Sequence, residues 1–188
     1  MDTAKGKRID EAMKLFCEMP QKGLVPDYIT YNTLIKGLWE VGRSLNALDF
    51  FKNMCSHGLQ PNMITFSTLL SGLCKQGYID EALAIFKAME KSRLKPNFMI
   101  YNILIHGRYY VGKLNDAKEL LSMLFEKGLL PNAYTYSITI KGFCNEGLLD
   151  EAHMVFREME EVGCLPNDCC YNVIIQGFLR HKDVSKAS

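Results

Sequence analysis

Five prolines stand at equal intervals along this chain: Pro26, Pro61, Pro96, Pro131 and Pro166, each 35 residues after the last. A spacing that does not slip over this span means that one supersecondary unit is repeated, and a repeated unit buries its apolar face against its neighbours rather than in one irregular core. A unit of 34 residues would have drifted by about four positions over the same stretch. Counting units from Tyr28, Met63, Phe98, Ala133 and Asp168, other columns fall into register. Glycine recurs as Gly37, Gly72, Gly107, Gly142 and Gly177, and again as Gly42, Gly77, Gly112 and Gly147. Alanine recurs as Ala12, Ala47, Ala82, Ala117, Ala152 and Ala187.

The first half of a unit, such as TYNTLIKGLWEV, places Tyr31, Leu34, Ile35 and Leu38 on one stripe at helical spacing, which predicts helix A. Gly42 and its equivalents end that helix by accepting the left-handed conformation after the last turn. The second half, such as YIDEALAIFKAMEKS, opens on an acidic cap pair, Asp80 and Glu81. It then sets Ala82, Ile85, Phe86 and Met89 on one face, which predicts helix B. The alanines allow close helix approach, and Gly58, Gly128 and Gly163, each followed three residues later by proline, break the chain before the next unit. Residues 28 to 62, 63 to 97, 98 to 132 and 133 to 167 are complete units. Residues 1 to 27 supply helix B and its loop, residues 168 to 188 supply helix A and the start of a helix B, and together the units form one solenoid domain. The expected fold class is all-α, a solenoid of helix-turn-helix repeats.

Composition narrows the function classes. At 48% hydrophobic and 23% charged, the 188 residues suit a folded chain and exclude disorder. The formal net charge of +1 provides no general attraction for phosphate, so a nucleic-acid role must rest on local placement of residues. No apolar run approaches the roughly 20 residues of a membrane span, and no transit peptide is evident at the start, MDTAKGKRIDEAM. The seven cysteines, Cys17, Cys55, Cys74, Cys144, Cys164, Cys169 and Cys170, are odd in number and form no C-x-x-C pair, which argues for reduced thiols and against a metal site. His57, His106, His153 and His181 do not cluster with acids, and neither a zinc-deaminase pattern nor a phosphate-binding glycine loop occurs. The chain is expected to be neither an enzyme nor a cofactor binder.

Two polar columns remain. Asn32, Ser67, Asn102, Ser137 and Asn172 follow the helix A aromatic, and Asp27, Asn62, Asn97, Asn132 and Asn167 follow the loop prolines. Asparagine and serine are weak helix formers, so a polar rung in every unit needs a reason. Helix capping or an inter-repeat hydrogen bond is one; a turn residue is the ordinary reading of Asn after Pro. A ladder of ligand contacts, one rung per unit, is the other.

The pattern Y-N-x-L-I-x-G-x-x-x-x-G…D-E-A…F-x-x-M…G-x-x-P-N resembles the pentatricopeptide repeat family, in its plain 35-residue P class, over nearly the whole chain. Departures are local. Ser44-Leu45-Asn46 replaces the usual apolar-acidic-acidic opening of helix B, Arg93 replaces a loop glycine, and Arg108 and Thr139 replace apolar positions of helix A.

The resemblance implies a right-handed superhelix that binds single-stranded RNA one base per repeat, the fifth and last residues of a repeat together reading the base. The pairs are then Asn32 with Asn62, Ser67 with Asn97, Asn102 with Asn132 and Ser137 with Asn167, while Asp27 and Asn172 each lack a partner. Family preference assigns Asn/Asn to C or U and Ser/Asn to adenine, giving the core 5′-(C/U)-A-(C/U)-A-3′. The resemblance further implies base stacking between second-position residues, Ile29, Ile64, Met99 and Tyr134, with Cys169 a poor stacking surface in that column. Lys36, Lys75, Arg108, Lys141, Arg180 and Lys182 outnumber Glu40, Glu146 and Asp168 on the helix A side, and the first five of these cations are candidate phosphate contacts. The implied setting is a plant mitochondrion or chloroplast, in RNA processing, stability or translation, with recruited RNA-processing proteins as partners. Incomplete terminal units suggest end-to-end self-association. A scaffold for a protein or peptide partner is the rival reading, since helical solenoids also bind peptides in their grooves.

Overall fold

The structure, a computed structural model, describes residues 3–91 and 94–182. Among them are ten α-helices and no strand. The chain divides into two compact units, residues 1–96 and 97–188. The first holds α1 (Thr3–Gln21), α2 (Tyr28–Glu40), α3 (Ser44–Ser56), α4 (Met63–Lys75) and α5 (Ile79–Lys91); the second holds α6 (Phe98–Tyr110), α7 (Leu114–Glu126), α8 (Ala133–Asn145), α9 (Leu149–Glu161) and α10 (Asp168–Lys182). The even-numbered helices are helix A of successive repeats and the odd-numbered ones helix B. In the first unit α2 packs on both α3 and α4; in the second α6 packs on α7 and α8, and α10 on α8 and α9. The all-α hairpin repeat expected from the period is therefore what the described residues adopt.

The columns have the mechanical roles expected of them. Gly42, Gly77, Gly112 and Gly147 take φ of 75°, 81°, 72° and 75°, and among the described residues no other residue type has a positive φ. After Gly42 the amide of Arg43 returns to the carbonyl of Leu38 at 2.9 Å, closing helix A against its own last turn. Ala47, Ala82, Ala117 and Ala152 are wholly buried, and so, two turns further along the same face, are Met54, Met89, Leu124 and Met159. Tyr31, Tyr101 and Tyr136 are buried from the helix A side, where Tyr31 meets the edge of Phe16 with ring centroids 5.2 Å apart. Each buried aliphatic or aromatic side chain contributes about 1.5–3 kcal/mol.

Three local features go beyond the periodic pattern. Asp80 and Glu81 lie in the first turn of α5, and in α9 the equivalent Asp150 and Glu151 do not cap the helix: the N-cap there is Leu148, which makes no side-chain cap bond. These carboxylates act on the helix dipole from within the turn. The departure at Ser44-Leu45-Asn46 leaves α3 the same length as its counterparts with no acid in its first turn; Arg43 before it forms a two-pronged ion pair with Asp10 of α1 instead. Residues 1 to 27 were expected to hold only a helix B, yet α1 begins at Thr3 and is 19 residues long against 13 for α3. Lys7 stands where Gly42 stands one repeat later, so nothing breaks the helix there, and α10 likewise runs through Lys182 in the place of Gly147. Arg93, Ala187 and the helix B expected after α10 lie outside the described residues, as do the side chains of His181 and Lys182.

Candidate functional site

The residue after each loop proline caps the helix A that follows. Asp27 accepts the Thr30 amide at 2.9 Å, Asn62 the Thr65 amide at 3.0 Å, Asn132 the Thr135 amide at 3.0 Å and Asn167 the Cys170 amide at 3.1 Å. Asn97 takes two amides, Met99 at 3.1 Å and Ile100 at 3.3 Å. Proline holds the preceding chain extended and the Asx side chain then satisfies an amide that the first turn leaves over. In each case Oδ1 is the atom committed to the backbone. The other end of the asparagine, Nδ2, remains as a donor. At Asp27 the Thr30 amide and then the Thr30 hydroxyl hold the carboxyl below its usual range.

The fifth-position column is more deeply set. Asn32, Asn102 and Ser137 are buried, Ser67 is half-buried and Asn172 is exposed. Asn102 Oδ1 accepts from the Thr135 hydroxyl of the next repeat at 2.8 Å, and that hydroxyl oxygen also lies 3.2 Å from Asn132 Oδ1. One side chain thus joins the fifth and last residues of repeat 98–132. Ser67 and Ser137 each donate to the carbonyl four residues back, Met63 and Ala133, at 2.8 Å, and Ser137 Oγ lies 3.1 Å from Cys170 Sγ. Asn32 Oδ1 is buried without a hydrogen-bond partner. Both bland roles are therefore real: capping by the last-position column and inter-repeat bonding by the fifth.

The second-position column is not packing. Ile29, Ile64, Met99 and Tyr134 are 58%, 61%, 46% and 62% exposed, and Cys169 is exposed as well. Large apolar side chains are thus held out at the second position of each complete repeat. Among the cations, Lys36, Lys75, Lys141 and Arg180 are exposed, but Arg108 is not. Its side chain is 5% exposed and its guanidinium meets Asp116 of α7 at 2.9 Å, so it serves the α6–α7 hairpin and is withdrawn from the surface role expected of it. A groove of about 310 Å³ between α8 and α10 is lined by Lys141, Asn145, Gln176 and Arg180, with Cys144 at its floor. Burial pushes the Cys144 thiol up, which keeps it neutral and unreactive at physiological pH. In the first unit Lys5, Arg8 and Lys36 line a similar groove of about 450 Å³ between α1 and α2.

The sequence profile of the PPR repeat family matches residues 4–40, 26–75, 67–107, 96–145 and 140–180, so that successive matches overlap along the length of the array. The chain belongs to the PPR repeat family. This PPR chain is 50% identical over 46 residues to a pentatricopeptide repeat-containing protein of Arabidopsis thaliana, an alignment covering 24% of this chain and 8% of that protein. It is similar in structure to maize PPR10, with a TM-score of 0.77 at 27% identity over 96% of this chain. PPR10 in complex with an 18-nt psaJ RNA element matches with a TM-score of 0.80 at 25% identity over 93% of this chain. The PPR domain of Arabidopsis thaliana protein-only RNase P 1, solved in complex with tRNA, shares the fold at 18% identity, with a TM-score of 0.69 and coverage of 94% and 93% of the two chains. The PPR chain spans 26% of PPR10, about a quarter of its length.

Sequence reasoning missed two sets of residues in this PPR array. Thr65 and Thr135, at the third position of their repeats, are buried beside the polar rungs of the repeat before. Their signal is a 33-residue spacing, Asn32 to Thr65 and Asn102 to Thr135, two short of the period. The first glycine column is the second set. A Cβ on Gly72 would overlap the Trp39 ring, one on Gly142 the Tyr109 ring and one on Gly177 the Cys144 side chain. Each glycine is a socket for the preceding repeat, again 33 residues away. These sockets set how closely consecutive A helices approach, and so the spacing of the rungs.

Proposed function

We propose that this PPR chain binds single-stranded RNA sequence-specifically, one base per repeat, and acts by binding rather than by catalysis. The observation that carries the proposal is the recurrence at each helix A of three things together. They are a capping Asx at its start, an exposed second residue and a polar fifth residue; in repeat 98–132 the Thr135 hydroxyl bridges the fifth and last residues. Splayed bases need that combination, a flat surface to stack on and an oriented hydrogen-bonding edge to be read by. Similarity to PPR10, solved in complex with an 18-nt RNA element, supports the same class of ligand.

The readers are Asn32 with Asn62, Ser67 with Asn97, Asn102 with Asn132 and Ser137 with Asn167, in chain order, for a core of 5′-(C/U)-A-(C/U)-A-3′. Asp27 and Asn172 half-specify the flanking bases. Ile29, Ile64, Met99 and Tyr134 supply the stacking surfaces, and Lys36, Lys75, Lys141 and Arg180 approach the phosphates. The setting we propose is a plant organelle, where the bound transcript is protected, processed by recruited proteins or controlled in translation. Four rungs at roughly 1–3 kcal/mol each, less the cost of ordering a flexible strand, give an affinity near micromolar for this length of array.

The test is Ser67→Asn. It recreates the pair present at Asn32 with Asn62 and adds one amide at a half-buried rung. Competition between CACA-core and CCCA-core RNAs should favour CACA for the wild type and shift toward CCCA in the variant by about tenfold, the discrimination a base edge typically supplies. Equal relative affinities before and after the change, in a folded variant, would mean that this column bonds helices and reads nothing; tight binding to a peptide pool with none to RNA would favour the scaffold.

A further inference from the structure

We infer that Thr135, which belongs to the next repeat, is the positioning residue that decides which end of the Asn102 amide faces the RNA base, and thereby the base that repeat 98–132 accepts. The inference rests on the base reading proposed above. An asparagine amide has two ends of nearly equal size and opposite character, a carbonyl oxygen that accepts and an NH2 that donates. Which end meets a ligand is settled by what holds the other. On a surface both ends are solvated and the group rotates freely. Asn102 is buried at 3% exposure, so its amide is set by its neighbours.

The neighbour is the Thr135 hydroxyl, and its bonding favours one arrangement. A hydroxyl has one proton. Asn132 Oδ1, 3.2 Å from Thr135 Oγ1, already receives the Thr135 amide at 3.0 Å, and the Asn132 amide approaches the Thr135 oxygen at 3.4 Å. The Asn132 side therefore fills a lone pair of the hydroxyl, and the proton goes to Asn102 Oδ1 at the shorter distance of 2.8 Å. Thr135 is itself 1% exposed, so no solvent competes for this bond. With Oδ1 occupied, Asn102 offers its Nδ2 donors. The O2 carbonyl of a pyrimidine accepts such a donor, in C and U alike, whereas adenine offers ring nitrogens in different positions. A donor fixed in this way fits the edge that both pyrimidines share.

The serine rungs have the opposite character. Ser137 spends its proton on the Ala133 carbonyl at 2.8 Å, which leaves lone pairs to accept from an amino group such as that of adenine. In the place that Thr135 takes beside Asn102, Ser137 has Cys170, whose Sγ is 3.1 Å away. The sequence has the same alternation, Thr65 and Thr135 standing 33 residues after Asn32 and Asn102, and Ile100 and Cys170 33 after Ser67 and Ser137, but the hydroxyl bond made at Asn102 is not made at Asn32, whose Oδ1 is buried without a partner.

The test uses the full 188-residue chain and four RNAs, with CACA, CAAA, CCCA and CACC cores. The wild type should prefer CACA to CAAA by about tenfold. Thr135→Val keeps the shape and removes the hydroxyl; it should bring that preference to roughly twofold or less while the preference for CACA over CCCA, read by another repeat, stays as it was. Thr135→Ser restores the hydroxyl and should restore the third-base preference. Retention of full third-base selectivity in folded T135V overturns the inference, and so does an equal loss at the second and third bases, which is the signature of a structural role. A wild type with no third-base preference overturns the base reading itself, and with it this inference, and is distinguished from both. Should T135V lose its cooperative melt, the converse pair decides: S137N/C170T is expected to turn the fourth base from A to C by about tenfold, well beyond S137N alone, and equal behaviour of the two would overturn the assignment.

Discussion

Single residues in this array are constrained by side chains one repeat away rather than by their own helix. Gly142 sits inside α8 with ordinary helical backbone, and its lack of a Cβ matters because the Tyr109 ring occupies that space. The ring is buried, and burial pushes the Tyr109 phenol up to about 12, so it serves as a neutral packing group. Gly142→Ala should cost about 1–3 kcal/mol by overpacking, despite the better helix propensity of alanine. Tyr109→Ala alone should cost about 3–5 kcal/mol through the cavity left behind. Since the two side chains would contend for one volume, the double variant should be more stable than the sum of the two losses implies. Urea midpoints of the four proteins measure this, and strict additivity would show that the glycine is there for some other reason. The serine and asparagine rungs obey the same rule, because Asn102 is held by Thr135 and Ser137 is met by Cys170, both in the following repeat.

At the level of helices, A and B are begun differently. Every helix A is opened by an Asx side chain that bonds a first-turn amide, whereas α3, α7 and α9 follow Arg43, Lys113 and Leu148 with no side-chain cap bond. The capping column is also the proposed last-position reader, and the two tasks use different atoms: the oxygen caps and the other end of the group stays available. Asp27 is the one carboxylate in the column and makes the cap sensitive to pH. Its folded pKa lies below the model-compound value of 3.8, chiefly because the Thr30 amide bonds the ionised form. A group depressed on folding stabilises above its unfolded pKa, and the contribution disappears as pH falls through the folded value. Asp27→Asn keeps an acceptor for Thr30 and removes the titration. The stability of the wild type relative to D27N should therefore be greatest near neutral pH and shrink below about pH 4. A gap that stays constant across that range in urea titrations would place the stabilisation elsewhere.

Across the whole molecule the same column has different surroundings at different repeats. Ile105 and Ile140 are wholly buried in the second unit, while Ile175, in the same column of α10, is 52% exposed. Leu15 of α1 is 62% exposed where Leu120 of α7 is 5% exposed. Both exposed residues are on helices whose hairpin mate is absent from the described residues, and α1 is a helix B while α10 is a helix A. Truncation should therefore cost different amounts along one column: Ile140→Ala about 2–5 kcal/mol, and Ile175→Ala much less. Urea midpoints of the two variants measure this, and equal losses would show that exposure does not set the cost.

The sequence by itself determined the repeat, its 35-residue length, the two helices of each unit and the left-handed glycines between them. It could do so because each depends on local pattern and a repeat displays that pattern several times over. The base pairs and the predicted RNA core came from family resemblance, since no local rule ties an asparagine to a pyrimidine. What only the tertiary structure decided is the set of contacts between consecutive A helices. Trp39 with Gly72, Tyr109 with Gly142, Asn102 with Thr135 and Ser137 with Cys170 are each 33 residues apart. That offset is two residues short of the repeat, because one helix A meets the next slightly displaced along its axis, and a column alignment compares only like positions. The same packing buried Arg108 against Asp116 and left Ile29, Ile64 and Tyr134 in the open, outcomes that depend on which side of a helix its neighbours cover.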